Sequence, residues 1–205
     1  MPHPASSLIS RRHAAAVALL IAATGLIEWA EGRPPICRCG VVRLWAGTAD
    51  GPETSQMLAD WYSASHIIHG LLFYAALCWL LLRWPAGVRL MLAVGMEAAW
   101  ELIENSPAVI ARYRATTIAI GYSGDSILNS LGDIGFMVCG FLIARALPWR
   151  ASVVLGVVLE LAALWAIRDN LTLNVLMLVH PVEAVRVWQA GISPNAQIIF
   201  ARSYD

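Results

Sequence analysis

WYSASHIIHGLLFYAALCWLLLRW, residues 61–84, decides the class of fold. From Gly70 to Leu82 the stretch carries no charge, and about 20 helical residues of this composition span the hydrocarbon core of a bilayer. Yet His66 and His69 sit in the first turns. Three residues apart, they project from one helix face. In lipid an ionisable side chain costs several kcal/mol unless it is paired or hydrated. The two histidines are therefore expected to face a polar interior.

The rest of the chain has the same character. Its 205 residues are 59% hydrophobic and 14% charged, with mean hydropathy +0.63, far too apolar for an ordinary soluble domain. Formal net charge is zero and every basic residue is arginine. No basic patch supports nucleic-acid binding, and that class is excluded. The composition predicts an all-α integral membrane bundle.

Apolar runs predict about five spans, near 13–30, 64–83, 88–104, 126–147 and 151–168, with tight arginine-bearing connections at 83–89 and 145–150. The run LTLNVLMLVH from Leu171 stops at Pro181, too short to cross, and predicts an interfacial or re-entrant helix. The amphipathic PVEAVRVWQ that follows fits a carboxyl-terminal helix lying at the headgroups. This divides the chain into an amino-terminal segment 1–12, one membrane domain 13–191 and a tail 192–205. Arg11, Arg12 and the tight connections fall on one side, which arginine density in short loops places in the cytoplasm. Loops 31–63 and 105–125 are then expected on the opposite, outer face. Span one also fits a signal peptide, but no convincing small-x-small cleavage site precedes Glu28, and a retained span is expected.

Under this topology the ionisable residues gather at one level. MEAAWELIENS places Glu97, Glu101 and Glu104 at i, i+4 and i+7, a single stripe on span three. GDSILNSLGDIG repeats Asp125, Asn129 and Asp133 every four residues on span four, and Arg168, Asp169 and Asn170 close span five. At 1.5 Å per residue, Glu97 lies roughly 10 Å deeper than Glu104, and Asp133 roughly 12 Å deeper than Asp125. Such groups predict an outward-facing pocket.

What neutralises the carboxylates decides the chemistry. His66, His69, Glu97, Glu101, Asp125 and Asp133 form a candidate site for a divalent transition metal, zinc, manganese or iron. Glu97, Glu101 and His66 are candidate catalytic acids and bases. Arg112, Arg114, Asn129 and Asp169 are candidate binding residues, the arginines for an anionic headgroup. Blander roles stand beside these. A histidine at a helix start often serves as a hydrogen-bonding interfacial residue, Glu104 can be solvated at a helix end, and Asp125 after Gly124 can cap span four. Glu160, deep in VVLELAAL, stands apart from the cluster. Cys78 and Cys139 read as small core residues. Cys37 and Cys39 sit in the outer loop, where a disulfide is permitted but strained across one intervening residue. The loop segment GTADGPETSQ reads as solvated, turn-rich chain.

WYSASHIIHGLLFY, EAAWELIENSP, RYRATTIAIGYSGDSILNSLGD and IRDNLTLNVLMLVHPVEAVRVWQ, with the early PICRCGVVRLW, resemble an uncharacterised, mainly alphaproteobacterial family of small multi-pass inner-membrane proteins carrying a domain of unknown function. The resemblance runs from about Arg33 to about Gly191; it implies a multi-pass location in the bacterial plasma membrane, so that the outer face and its pocket are periplasmic, and it supplies no activity. The order His, Glu, Gly-Asp on consecutive spans is also similar to VanZ-like membrane proteins. Two functions follow as expectations. One is a metal-dependent membrane enzyme acting on a lipid-linked or periplasmic small molecule. The other is a non-enzymatic protein that binds or transports an ion, proton or small ligand.

Overall fold

The computed structural model describes residues 9–49, 51–117, 119 and 121–191. The expected tail 192–205 and most of segment 1–12 lie outside them. The described residues form helices α1 (Arg11–Ala30), α2 (Ser63–Leu80), α3 (Ala86–Glu104), α4 (Pro107–Thr116), α5 (Ile127–Ala146), α6 (Trp149–Ile167), α7 (Leu171–Val179) and α8 (Glu183–Gln189), and no strand. The helices α1, α2, α5 and α6 are long and apolar enough to cross a membrane. The fifth expected span, α3, matches them in length at 19 residues. It differs in carrying Arg89, Glu97, Glu101 and Glu104. Three of those charges are buried, because α3 lies inside the bundle against α1, α2 and α5.

The bundle is apolar at one end and polar at the other. Leu77, Leu90, Ala93, Val94, Ala98, Ile134, Met137 and Phe141 form a closed core toward the 83–89 connection. Beyond it, one or two turns along α2, α3 and α5, come His66, Glu97 and Asp133. The helices α2 and α5 run parallel: Ser63 meets Asp133 while, two turns on, Gly70 meets Met137. They touch through glycine. A Cβ on Gly70 would lie 2.1 Å from the Met137 carbonyl oxygen, and one on Gly140 2.1 Å from that of Ile67. Small residues permit such close backbone approach in membrane bundles.

Loop 31–62 is built onto the start of α5 rather than merely solvated. The leading amides of that helix lack intrahelical partners, and the Ser55, Pro34 and Pro35 carbonyls accept from the Ser126, Ile127 and Leu128 amides. Met57 is fully buried, and its carbonyl accepts from Asn129 Nδ2 at 3.0 Å. The expected N-cap role of Asp125 falls instead to Ser126, whose side chain accepts from the Asn129 amide at 3.2 Å. Cys37 and Cys39 are joined by a disulfide. Cys139, expected in the core, is exposed on the outside of α5, while Cys78 is half-buried and accepts from Arg89 Nη1 at 2.8 Å.

Segment 105–125 contains a helix that hydrophobic runs alone did not signal. Ser106 caps it and Pro107 occupies its first turn, a combination that favours helix initiation. After α6, Arg168 adopts a left-handed conformation (φ 54°) and the chain turns back. The Glu160 carboxylate then caps α7, accepting from the Leu171 and Thr172 amides at 3.0 and 3.2 Å and from the Thr172 hydroxyl at 2.5 Å. This gives the isolated mid-helix glutamate a structural role. Since losing a helix cap costs about 1 kcal/mol, rising toward 2, Glu160→Ala is expected to speed amide exchange across 171–179 by about tenfold. Hydrogen–deuterium exchange with mass spectrometry reads that change, and unaltered exchange there would refute the capping role.

Candidate functional site

The close contact of α2 with α5, and the insertion of α3 beside them, bring the deep ionisable residues together. His66 Nδ1 lies 2.6 Å from Glu97 Oε1 and 3.6 Å from Glu101 Oε1, while its Nε2 lies 3.7 Å from Asp133 Oδ2. His69 Nδ1 is 3.1 Å from each Glu97 oxygen. The Ser63 hydroxyl donates to Asp133 Oδ1 at 3.3 Å. Glu97 and Glu101 are fully buried, and neither Glu101 oxygen accepts a hydrogen bond from the described residues. The Phe73 ring stacks on His69 with centroids 5.7 Å apart and covers the deep side of the cluster.

Two trios offer one ligand atom each within 4.8 Å of one another: His66, His69 and Glu97, and His66, Glu101 and Asp133. A tetrahedral centre with bonds of 2.0–2.1 Å has ligand atoms about 3.3 Å apart. The first trio, with His66 and His69 Nδ1 at 2.6 and 3.1 Å from Glu97, already has this scale. In the second, His66 meets Glu101 through Nδ1 at 3.6 Å and Asp133 through Nε2 at 3.7 Å, so an ion bound by one nitrogen keeps only one of these separations.

His66, His69, Glu97 and Asp133 open into a cavity of about 330 Å³, whereas Glu101, buried beside them, does not line it. Glu97, Glu104, Asp125, Asp133 and Asp169 line it with both histidines, and no arginine or lysine among the described residues does. Asp125 belongs to neither trio. Its carboxylate accepts from the Tyr122 hydroxyl at 2.9 Å and from Asn105 Nδ2 at 3.0 Å. Burial pushes its carboxyl above the ordinary aspartate range, as it does those of Asp60 and Asp169. Asp169 accepts from the Tyr62 hydroxyl at 3.1 Å and Gln189 Nε2 at 3.0 Å, which ties α8 to the cavity rim.

The remaining candidates lie elsewhere. Arg112 donates through Nε to the Leu178 carbonyl at 2.9 Å, at the end of α7, and Arg114 donates to the Tyr122 carbonyl. Neither lines the cavity, so neither sits where an anionic headgroup would meet the histidines. Asn129 is buried against the Met57 carbonyl and anchors the loop. Sequence reasoning left one feature open and passed over two. Glu104, placed in the carboxylate stripe but also allowed as a solvated helix end, lines the cavity. Tyr62, Tyr113 and Tyr122 also line it, and nothing in their spacing announces this. Glu28 is fully buried at the end of α1, with both carboxylate oxygens lacking a hydrogen bond to the described residues. The argument that singled out Glu97, a carboxylate inside an apolar run, applies equally to GLIEWA. Arg33 adds a further tie, donating to the Ser123 and Asp125 carbonyls beneath Gly124.

An all-α bundle of apolar helices around a buried His and carboxylate cluster is a membrane protein with an internal polar site, and comparison gives it a family. Residues 28–191 match the protein family of unknown function DUF2585, and the chain belongs to it. It is 54% identical to the UPF0314 protein of Sphingopyxis alaskensis over 183 residues, 89% of this chain and 97% of that one. Identity is 59% over 169 residues to the UPF0314 protein of Novosphingobium aromaticivorans, covering 78% and 83% of the two chains. The UPF0314 protein of Paracoccus denitrificans is 55% identical over 161 residues, again 78% and 83%. No solved structure matches.

Proposed function

We propose that this protein is a divalent-metal-dependent enzyme of the bacterial plasma membrane, acting at its periplasmic face on a lipid-linked or periplasmic small molecule. The observation that carries the proposal is the His66, His69 and Glu97 trio, whose ligand atoms stand at the separations of a small metal centre inside a cavity large enough for substrate. Bound zinc, manganese or iron would polarise a substrate oxygen or acidify a water. Glu101, buried and accepting no hydrogen bond from the described residues, lies 3.6 Å from His66 Nδ1 and would receive a proton through that ring rather than from the cavity itself. Asp133 and Ser63 orient the far side of the His66 ring.

A second reading has its own support. Five carboxylates, with two histidines and no arginine or lysine among the described lining, favour cations over anions, as expected of a protein that binds or passes an ion or proton.

The test is elemental analysis of detergent-purified protein by inductively coupled plasma mass spectrometry. Wild type is expected to hold close to one transition metal per chain, and His66→Ala and Glu97→Gln to hold less than about a tenth of that. Circular dichroism matching wild type would show that the variants remain folded. Absence of metal in well-folded wild type, even after resupply, would overturn the enzyme reading in favour of cation or proton handling.

A further inference from the structure

The cavity has a second part, beyond the metal-ligating cluster, whose walls are aromatic. Tyr62, at the start of α2, Trp100 on α3, Tyr113 on α4 and Tyr122 in the segment before α5 all line it. The tyrosine hydroxyls are committed: Tyr62 donates to Asp169, Tyr122 to Asp125, and Tyr113 to Asn174 Oδ1 at 2.9 Å. What these residues present to the cavity is therefore ring. The Tyr113 and Tyr122 rings meet edge to face with centroids 5.4 Å apart, making a corner rather than a flat wall. Around the corner stand Glu104, Asp125 and Asp169.

Aromatic faces with carboxylates behind them, and no arginine or lysine among the described lining, are the chemistry that recognises an ammonium group. The ring quadrupole attracts a cation lying within about 6 Å of its centroid, most strongly where water is excluded. A phosphate, sulfate or carboxylate would meet the same carboxylates with no guanidinium to offset them, since Arg33, Arg112 and Arg114 are all held by backbone carbonyls.

The opposite side of the cavity is apolar and reaches the bundle surface. Phe73 on α2, Met96 on α3, and Leu171 and Val175 on α7 form it. Met96 and Val175 are 46% and 48% exposed, at the depth where the outer faces of the apolar helices meet hydrocarbon. Met96 lies eight residues, about 12 Å along the helix, from Glu104. The cavity thus grades from hydrocarbon-like to acidic and aromatic over the length of a small amphiphile.

We infer that this part of the cavity binds the ammonium head of a membrane amphiphile, seated among Trp100, Tyr113, Tyr122 and Glu104, with its chain leaving past Phe73, Met96 and Val175. The ammonium end shares one cavity with the His66 trio, the chain passes beside it at Phe73, and neither contact depends on a metal.

The experiment is isothermal titration calorimetry on the full chain in dodecyl maltoside, stripped of metal with chelator and corrected for empty micelles. Decyltrimethylammonium is the probe, with decyl glucoside as its uncharged and decyl sulfate as its anionic counterpart. Decyltrimethylammonium is expected to bind saturably with one site per chain, at least about tenfold more tightly than decyl glucoside, while decyl sulfate does not saturate. Tyr113→Leu is expected to weaken the ammonium about tenfold and Tyr113→Phe to leave it within about twofold, because the ring and not the hydroxyl makes the contact. Should Tyr113→Leu misfold, Glu104→Gln replaces the ionisable carboxyl by an amide of nearly the same shape and is expected to weaken binding at least about threefold. Equal affinity for all three probes, or a titration no different from empty micelles, would overturn the inference. Because metal is absent throughout, failure here and failure of the metal count are separate results.

Discussion

Gly70→Ala and Gly140→Ala are each expected to destabilise the protein by about 2–3 kcal/mol, the upper range for forcing atoms into a packed interior. At both positions the added carbon would lie 2.1 Å from a backbone carbonyl oxygen of the facing helix. A backbone cannot rotate away as a side chain can, so α2 and α5 must separate. His66 and Asp133 are carried by these two helices, and the separation opens the site as well as the core. Gly95→Ala and Gly135→Ala are the controls, because a Cβ at either meets nothing within 4 Å. Alanine is the better helix former by up to about 1 kcal/mol, so both are expected to melt at or slightly above the wild-type temperature. Thermal unfolding in detergent, followed by circular dichroism, compares the four. If Gly70→Ala melted with the controls, the glycine contact would not be what holds the helices together.

Metal is expected to stabilise the folded chain by about 2.7 kcal/mol when present at a hundredfold excess over its dissociation constant. The reason is linkage: the ligands come from α2 and α3, or from α2, α3 and α5, and assemble only in the folded bundle. His66 belongs to both trios, so His66→Ala is expected to abolish the shift. The two trios then separate cleanly. His69→Ala removes a ligand from the first alone, and Asp133→Asn from the second alone. The closer spacing of the first trio leads us to expect that His69→Ala loses most of the stabilisation while Asp133→Asn retains it. The opposite pattern would move the centre to His66, Glu101 and Asp133, and stabilisation equal in all four proteins would place metal outside the pocket altogether.

Much of this was open to reading in the chain. Length and hydropathy reveal α1, α2, α5 and α6 because a helix in lipid must satisfy its own backbone and clothe itself in apolar side chains. The same rule makes Glu97, Glu101 and Asp133 conspicuous, since a carboxylate in an apolar run has to face inward. Their gathering with His66 and His69 follows from helix periodicity and depth, both of them local quantities. Where a polar residue lay near a helix end, depth no longer discriminated. Glu104 reads equally as a cavity wall or a solvated terminus, and Asp125 as a cap or a cavity residue.

What the sequence by itself determined is the all-helical membrane class, the shortness of α7 and α8, and the set of acidic and histidine side chains that share one end of the bundle. Periodicity and solvation act within a single helix, so they can be read without neighbours. Tertiary structure alone decided who meets whom: that Ser126 and not Asp125 caps α5, that Glu160 serves α7, that Arg112 and Arg114 bind carbonyls outside the cavity, and that three tyrosines from separate segments share its wall. Those outcomes depend on helix rotation and on the glycine contact between α2 and α5, which are set by packing between elements distant in the chain and leave no periodic trace within any one of them.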